Sequence, residues 1–207
     1  MDNLLEIIMH TDDALIDLVT NYGTATYIIL FLIIFSETGL VFFPFLPGDA
    51  LLFSAGMVSA TDALHVGLLA LILIIAAILG NTSNYFIGKY ASNYFLKIKN
   101  ETFQKYMRES RLFYEERGGM AIVFSRFFPI LRTYVPFIAG ISKMNVRTYT
   151  TFNVIGGVVW VLIFVFGGYI LGGMPGAKEN FEFVFIGILI LTLIPFIYKT
   201  VQSIKNR

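Results

Sequence analysis

Four ionisable side chains stand inside otherwise apolar stretches of this chain: Glu37, Asp49, Arg126 and Arg132. Charged groups in such segments are costly, and by default they mark ligand sites, ion pathways or proton relays. The two signs carry different chemistry. Arginine presents a planar fork of donors that matches phosphate oxygens. Arg126 and Arg132 are therefore read as a phosphate-binding pair, with Thr133 and Tyr134 as neutral donors beside them. A carboxylate in apolar surroundings is favoured in its protonated form, so Glu37 and Asp49 are read as proton-coupling groups. Competition between these carboxylates and a bound phosphate for the arginines would couple proton to ligand. The plainer alternative is two salt bridges that only hold structure, since an unpaired buried charge is worse than a paired one. That alternative gives no reason for the four to lie beside broken backbone.

The break is written in two stretches. Phe35–Met57 reads FSETGLVFFPFLPGDALLFSAGM, and Phe124–Met144 reads FSRFFPILRTYVPFIAGISKM. Proline removes a backbone donor and clashes with the preceding turn, so Pro44, Pro47, Pro129 and Pro136 are read as hairpin breaks, together with Gly48. Non-helical backbone at membrane depth is tolerated only where protein or a wet cavity surrounds it. Each stretch is thus predicted to be a re-entrant helix–break–helix hairpin. They resemble each other: F-S-charge, then F-F-P-x-L, then A-G. Pro44 and Pro129 are 85 apart, and Gly56 and Gly140 are 84 apart. Tyr85-x-Ile87-Gly88 and Tyr169-x-Leu171-Gly172 keep the same offset of 84. The chain is therefore read as two repeats, one acidic and one basic.

Composition bounds the class. The 207 residues are 57% hydrophobic and 14% charged, with a mean hydropathy of +0.74; soluble domains carry roughly 25% charged residues. This is the composition of an integral membrane protein. A formal net charge of +1 gives no electrostatic case for nucleic acid. Zero cysteines exclude disulfides and thiolate sites. With only His10 and His65, no metal site or cofactor is assigned. Met1–Thr20 lacks a basic n-region, which speaks against a cleavable signal peptide.

The predicted fold is an all-α integral membrane protein with two inverted repeats, each a re-entrant hairpin plus a transmembrane helix. Residues 1–22 are read as an interfacial amphipathic helix, built on the pattern of residues 4–20. A membrane domain covers 23–175, with hairpins near 24–58 and 120–141, and 176–207 supplies a C-terminal transmembrane helix and tail. The apolar arm 24–35 is short of the about 20 residues that a span needs. Val66–Tyr90 and Thr148–Gly172 are long enough to cross. Asn81, Ser83 and Asn84 are spaced to face a protein interior, and Asn81, Asn84, Tyr85, Asn153 and Trp160 are taken as cavity lining. The basic stretch 97–118, an amphipathic helix, is placed on the cytoplasmic side, and the charges at Lys199, Lys205 and Arg207 place the C-terminus there too. The hairpins then enter from opposite faces.

At these residues the sequence resembles the DedA family of bacterial inner-membrane proteins, related to eukaryotic VTT-domain lipid scramblases. The resemblance is carried by ETGLVFFPFLPGD at Glu37–Asp49, SRFFPILRTYVPFIAGISKM at Ser125–Met144, and N-x-x-G-x-x-x-W at Asn153–Trp160. One departure is Asn81, where family members often carry an acidic residue. The resemblance implies opposed re-entrant hairpins and lipid translocation linked to the proton motive force in the bacterial cytoplasmic membrane. It implies undecaprenyl phosphate or a phospholipid such as phosphatidylethanolamine as cargo. The leading expectation is a flippase for undecaprenyl phosphate, with a phospholipid flippase or scramblase next and a proton/cation antiporter third. A phosphatase is disfavoured, because neither histidine lies near the Lys, Arg and Asp that a histidine nucleophile needs, so no catalytic residue is assigned. The expected partners are membrane lipid and protons, and the Gly- and Ala-rich helices permit a homodimer.

Overall fold

Lipid offers no water to satisfy a backbone, so apolar stretches must close their hydrogen bonds within helices. The computed structural model describes residues 11–39, 48–95, 101–128 and 131–174, and every regular element among them is helical. In chain order these are α1 (Thr11–Tyr22), a 3-10 turn (Gly23–Ala25), α2 (Thr26–Gly39), α3 (Gly48–Ser59), α4 (Val66–Phe95), α5 (Glu101–Arg117), α6 (Met120–Ser125), α7 (Leu131–Ile141) and α8 (Val146–Gly172). Among the described residues, three helical runs are long and apolar enough to cross a membrane: Leu18–Gly39, Val66–Tyr90 and Val146–Gly172. On α4, Leu68, Leu71, Ile75 and Leu79 form an exposed stripe at helical spacing, as a lipid-facing surface requires.

The first of these runs extends the apolar arm 24–35 at both ends, to 22 residues. Helix continues to Gly39, and in its last turn Thr38 Oγ1 donates to the Ile34 carbonyl at 2.8 Å. Residues 4–10, Pro44, Pro47, Pro129 and the helix expected over 176–207 lie outside the described residues.

The chain divides into two compact units: Met1–Asn21, Asp49–Val66 and Phe164–Arg207 form one, Tyr22–Gly48 and Gly67–Ile163 the other. Within the first, α3 crosses the end of α8 at glycine. A Cβ on Gly56 would strike the Val165 carbonyl and approach the Tyr169 nitrogen, and one on Gly168 would strike the Phe53 carbonyl. Within the second, α7 crosses α4 in the same manner. A Cβ on Gly140 would strike the Tyr85 carbonyl and approach the Lys89 nitrogen, and one on Gly88 would strike the Phe137 carbonyl. Small residues that admit backbone to backbone are a usual means of membrane helix packing.

The second unit carries an extra layer. Met107 of α5 packs with Tyr134, Phe137 and Ile138 of α7, flanked by Ile87, Tyr114 and Ile141. The opposite face of α5 is charged but balanced, with four basic and four acidic residues between Glu101 and Arg117. Lys105–Glu109 (4.0 Å) and Arg111–Glu115 (2.8 Å) pair across single turns there. Two caps fix the ends of the site-bearing helices. Lys143, at φ +54°, closes α7: the Met144 N–H reaches the Ala139 carbonyl and the Lys143 N–H the Gly140 carbonyl, both at 3.0 Å. Asn145 Oδ1 then caps α8 by accepting from the Arg147 N–H at 2.9 Å.

Candidate functional site

The buried face of α4 changes character along its length. Leu69, Leu73, Ala76 and Ala77 give way to Asn81, Asn84 and Tyr85, all buried. Ser83, expected to face inward with them, instead donates to the Leu79 carbonyl at 3.0 Å in an exposed position. The amides of Asn81 and Asn84 meet the charged ends of the two broken segments.

Glu37, near the end of α2, and Arg132, in the first turn of α7, are both buried and form an ion pair. The Gly48 N–H at the start of α3 donates to the same Glu37 carboxylate at 3.3 Å. A helix start favours negative charge, so the carboxylate is held from two directions. Gly48 has to be glycine at this spot, because a Cβ would overlap the Glu37 carboxylate.

Arg126 follows α6 directly and is 2% exposed. Among the described residues no carboxylate comes within 4.0 Å of it. Its partners are neutral. One terminal nitrogen donates to Asn153 Oδ1 at 2.6 Å and to the Asn153 and Ala77 carbonyls at 3.4 Å. With the Asn81 amide oriented to satisfy its neighbours, Asn81 Oδ1 accepts from Arg126 at 3.2 Å and Asn81 Nδ2 donates to the Thr38 carbonyl at 3.2 Å. Asn153 Nδ2 is anchored on the Ile78 carbonyl (3.0 Å) and on Thr82 Oγ1 (3.1 Å). The Trp160 ring lies 5.8 Å from the Arg126 guanidinium carbon and 5.9 Å from that of Arg132, within cation–π range of both. Room for Arg126 comes from α8, where a Cβ on Gly156 would stand 3.2 Å from its Nε.

The network closes on itself. Asn84 Nδ2 donates to the Thr133 carbonyl at 2.8 Å and to the Thr38 carbonyl at 3.5 Å. Asn81 and Asn84 thus share the Thr38 carbonyl, and Thr38 and Thr133 are chain neighbours of Glu37 and Arg132. The expected residues Glu37, Arg126, Arg132, Thr133, Asn81, Asn84, Asn153 and Trp160 all belong to this one cluster. Asp49 belongs to the other compact unit, in the first turn of α3.

Three expected residues sit elsewhere. The Tyr134 ring packs in the apolar cluster with Met107. Tyr85 stacks on Tyr149 at 4.2 Å, and its hydroxyl donates to the Met144 carbonyl, so it ties α4 to the α7–α8 turn. Pro136 lies inside α7, which runs through it. Thr38, Thr82 and Tyr149 were missed by sequence reasoning. Tyr149 donates to the Asn81 carbonyl at 2.7 Å, a main-chain contact that no side-chain pattern announces.

Long apolar helices and a buried acid–arginine cluster define a helical membrane protein, and comparison with known proteins places it more closely. The VTT domain model matches residues 46–170. Protein DedA of Escherichia coli is 40% identical over 203 residues, covering 96% of this chain and 93% of that protein. Inner membrane protein YghB of Salmonella typhimurium is 33% identical over 171 residues, covering 81% and 78%. Inner membrane protein YqjA of Escherichia coli is 35% identical over 157 residues, covering 72% and 69%. No solved structure matches. The chain belongs to the DedA family of membrane proteins and carries its VTT domain.

Proposed function

We propose that this protein is a lipid translocase of the bacterial cytoplasmic membrane that carries a lipid phosphate, undecaprenyl phosphate first, and couples its movement to protons. The observation that carries this reading is the contrast between the two buried arginines. Glu37 neutralises Arg132, while among the described residues Arg126 meets only neutral oxygens and keeps its charge for a ligand. A buried cation without a counter-charge is costly, and a phosphate oxygen arriving at Arg126 relieves that cost. Trp160, beside both guanidiniums, links the two positions. A phosphate that also engages Arg132 competes with Glu37, and Glu37 released from its partner takes up a proton. Translocation and proton transfer then share one step.

The same reading takes the two glycine crossings as inverted repeats, with α2–α3 and α6–α7 as opposed re-entrant hairpins. The likeness of the Gly56 and Gly140 contacts supports it. The basic stretch 97–118 sets the cytoplasmic side.

Proteoliposomes carrying undecaprenyl phosphate in one set and labelled phosphatidylethanolamine in another test this function, with and without a pH gradient. Expected is movement of undecaprenyl phosphate that responds to the gradient, is lost in Arg126→Gln, and becomes indifferent to the gradient in Glu37→Gln. Movement of phosphatidylethanolamine alone would replace the cargo. Ion flux with no lipid movement would replace the lipid reading with an antiporter.

A further inference from the structure

Asn84 is fully buried, and its amide is held by the nitrogen end, on the Thr133 and Thr38 carbonyls. Two carbonyl partners fix which way the amide faces. Among the described residues its Oδ1 has no donor. Thr133 Oγ1 and Arg126 Nε, on residues 1% and 2% exposed, also have no partner among the described residues. Buried polar atoms are nearly always bonded, so each exception calls for a partner. These three belong to one connected network: Arg126 bonds Asn81, Asn81 and Asn84 share the Thr38 carbonyl, and Asn84 holds Thr133.

Their needs differ. Arg126 Nε only donates, Thr133 Oγ1 gives or takes, and Asn84 Oδ1 only accepts. A fully ionised phosphate suits the first two and opposes the third, because lone pairs would face lone pairs. We propose that Asn84 is the specificity-determining residue of this site, selecting a phosphate headgroup that carries a hydrogen-bond donor as well as negative charge. Two chemistries meet that demand: the P–OH of a singly ionised phosphate monoester, and the N–H of a phosphoethanolamine. A methylated phosphate ester and a trimethylammonium headgroup do not. A site built to hydrogen-bond one group rejects the analogue that lacks it, because its own polar atom is left unpaired. The inference rests on the lipid-phosphate reading of Arg126.

Trp160 is the chain's one tryptophan and stands beside both guanidiniums, so its emission reports occupancy. The purified full chain in detergent is titrated with dihexanoyl phosphatidic acid against its methyl ester. A second titration sets dihexanoyl phosphatidylethanolamine against dihexanoyl phosphatidylcholine. The pH is held at about 5.5, below the second phosphate pKa of ~6. Expected is about tenfold or tighter binding of the donor-bearing member in one pair, and which pair shows it identifies the headgroup. Asn84→Leu brings that ratio to one. Thr133→Val removes no hydrogen bond within the protein, so it weakens both members together and keeps the ratio. The wild-type ratio needs no variant, so a misfolded Asn84→Leu leaves the test intact. Equal binding within both pairs, lost in Arg126→Gln, overturns the role of Asn84 and leaves the phosphate reading standing. Silence of wild type towards all four lipids overturns both.

Discussion

The two glycine crossings are one device lined in two ways. In each, a Phe-x-x-Gly on a short helix meets the backbone of a long helix that returns its own glycine: Phe53 and Gly56 against Val165 and Gly168, Phe137 and Gly140 against Tyr85 and Gly88. Followed outward by one turn from these contacts, Asn84 on α4 answers to Phe164 on α8. One long helix therefore offers an amide at the register where the other offers an apolar side chain. Close backbone approach is the shared scaffold. The polar lining belongs to one unit, and with it come the buried ion pair and Arg126, which meets no carboxylate among the described residues.

If that division holds, removing charge damages one unit and spares the other. Arg132→Ala strands the buried Glu37 carboxylate, and loss of one member of a buried pair costs about 3–5 kcal/mol. Hydrogen exchange of the protein in detergent should then show α2 and α7 losing protection, while α3 keeps it. Equal loss in both places would break the comparison. Arg132→Ala combined with Glu37→Gln should recover much of the stability, because the neutral amide no longer carries a stranded charge.

The crossings themselves should respond alike. At Gly56 and at Gly140 a new side chain meets main chain, which cannot swing aside. Overpacking of this kind costs about 1–3 kcal/mol or more. Gly56→Val and Gly140→Val should therefore lower the unfolding temperature by similar amounts. If only Gly140→Val does so, the likeness of the two crossings is superficial.

Much of this was legible because charge and proline are rare in apolar sequence. Glu37, Arg126 and Arg132 stood out for that reason, and the helical class followed from hydropathy alone. The likeness between the two glycine-bearing stretches was visible too, but the register of their contacts was not. The Tyr-x-Ile/Leu-Gly markers gave an offset of 84 on the long helices, whereas Gly88 acts as Gly168 does, an offset of 80. The discrepancy is four residues, about one helical turn. A slip of one turn leaves the same face inward, so pattern alone is blind to it. Tyr134 misled for a related reason. Its place beside Arg132 and Thr133 in sequence suggested a shared site, but successive residues on a helix point about 100° apart, and Tyr134 turns to α5. Tyr149 and Thr38 act through main-chain carbonyls, and a carbonyl has no letter in the sequence.

A smaller effect isolates the amide layer. Tyr149→Phe removes the hydroxyl that donates to the Asn81 carbonyl and keeps the ring stacked on Tyr85. A neutral hydrogen bond of this kind contributes about 0.5–1.5 kcal/mol. The loss should again be confined to the unit that contains α4 and α7.

The smallest expected effect concerns the α5 layer of the second unit. On α5 the apolar face docks on α7, while the charged face pairs with itself in solvent. Exposed pairs between adjacent turns contribute about 0.3–0.5 kcal/mol, and the Arg111–Glu115 pair is well exposed on both sides. Glu115→Ala should therefore leave the unfolding midpoint almost unchanged, and raising the salt concentration should erase even that difference by screening. Met107→Ala, on the other face of the same helix, empties a buried site against Tyr134, Phe137 and Ile138. Truncations of this kind cost about 2–5 kcal/mol when fully buried. A large salt-sensitive loss from Glu115→Ala would mean that charge, not burial, seats α5. The extra layer would then be an electrostatic attachment rather than part of the packed unit that holds Arg132 in place.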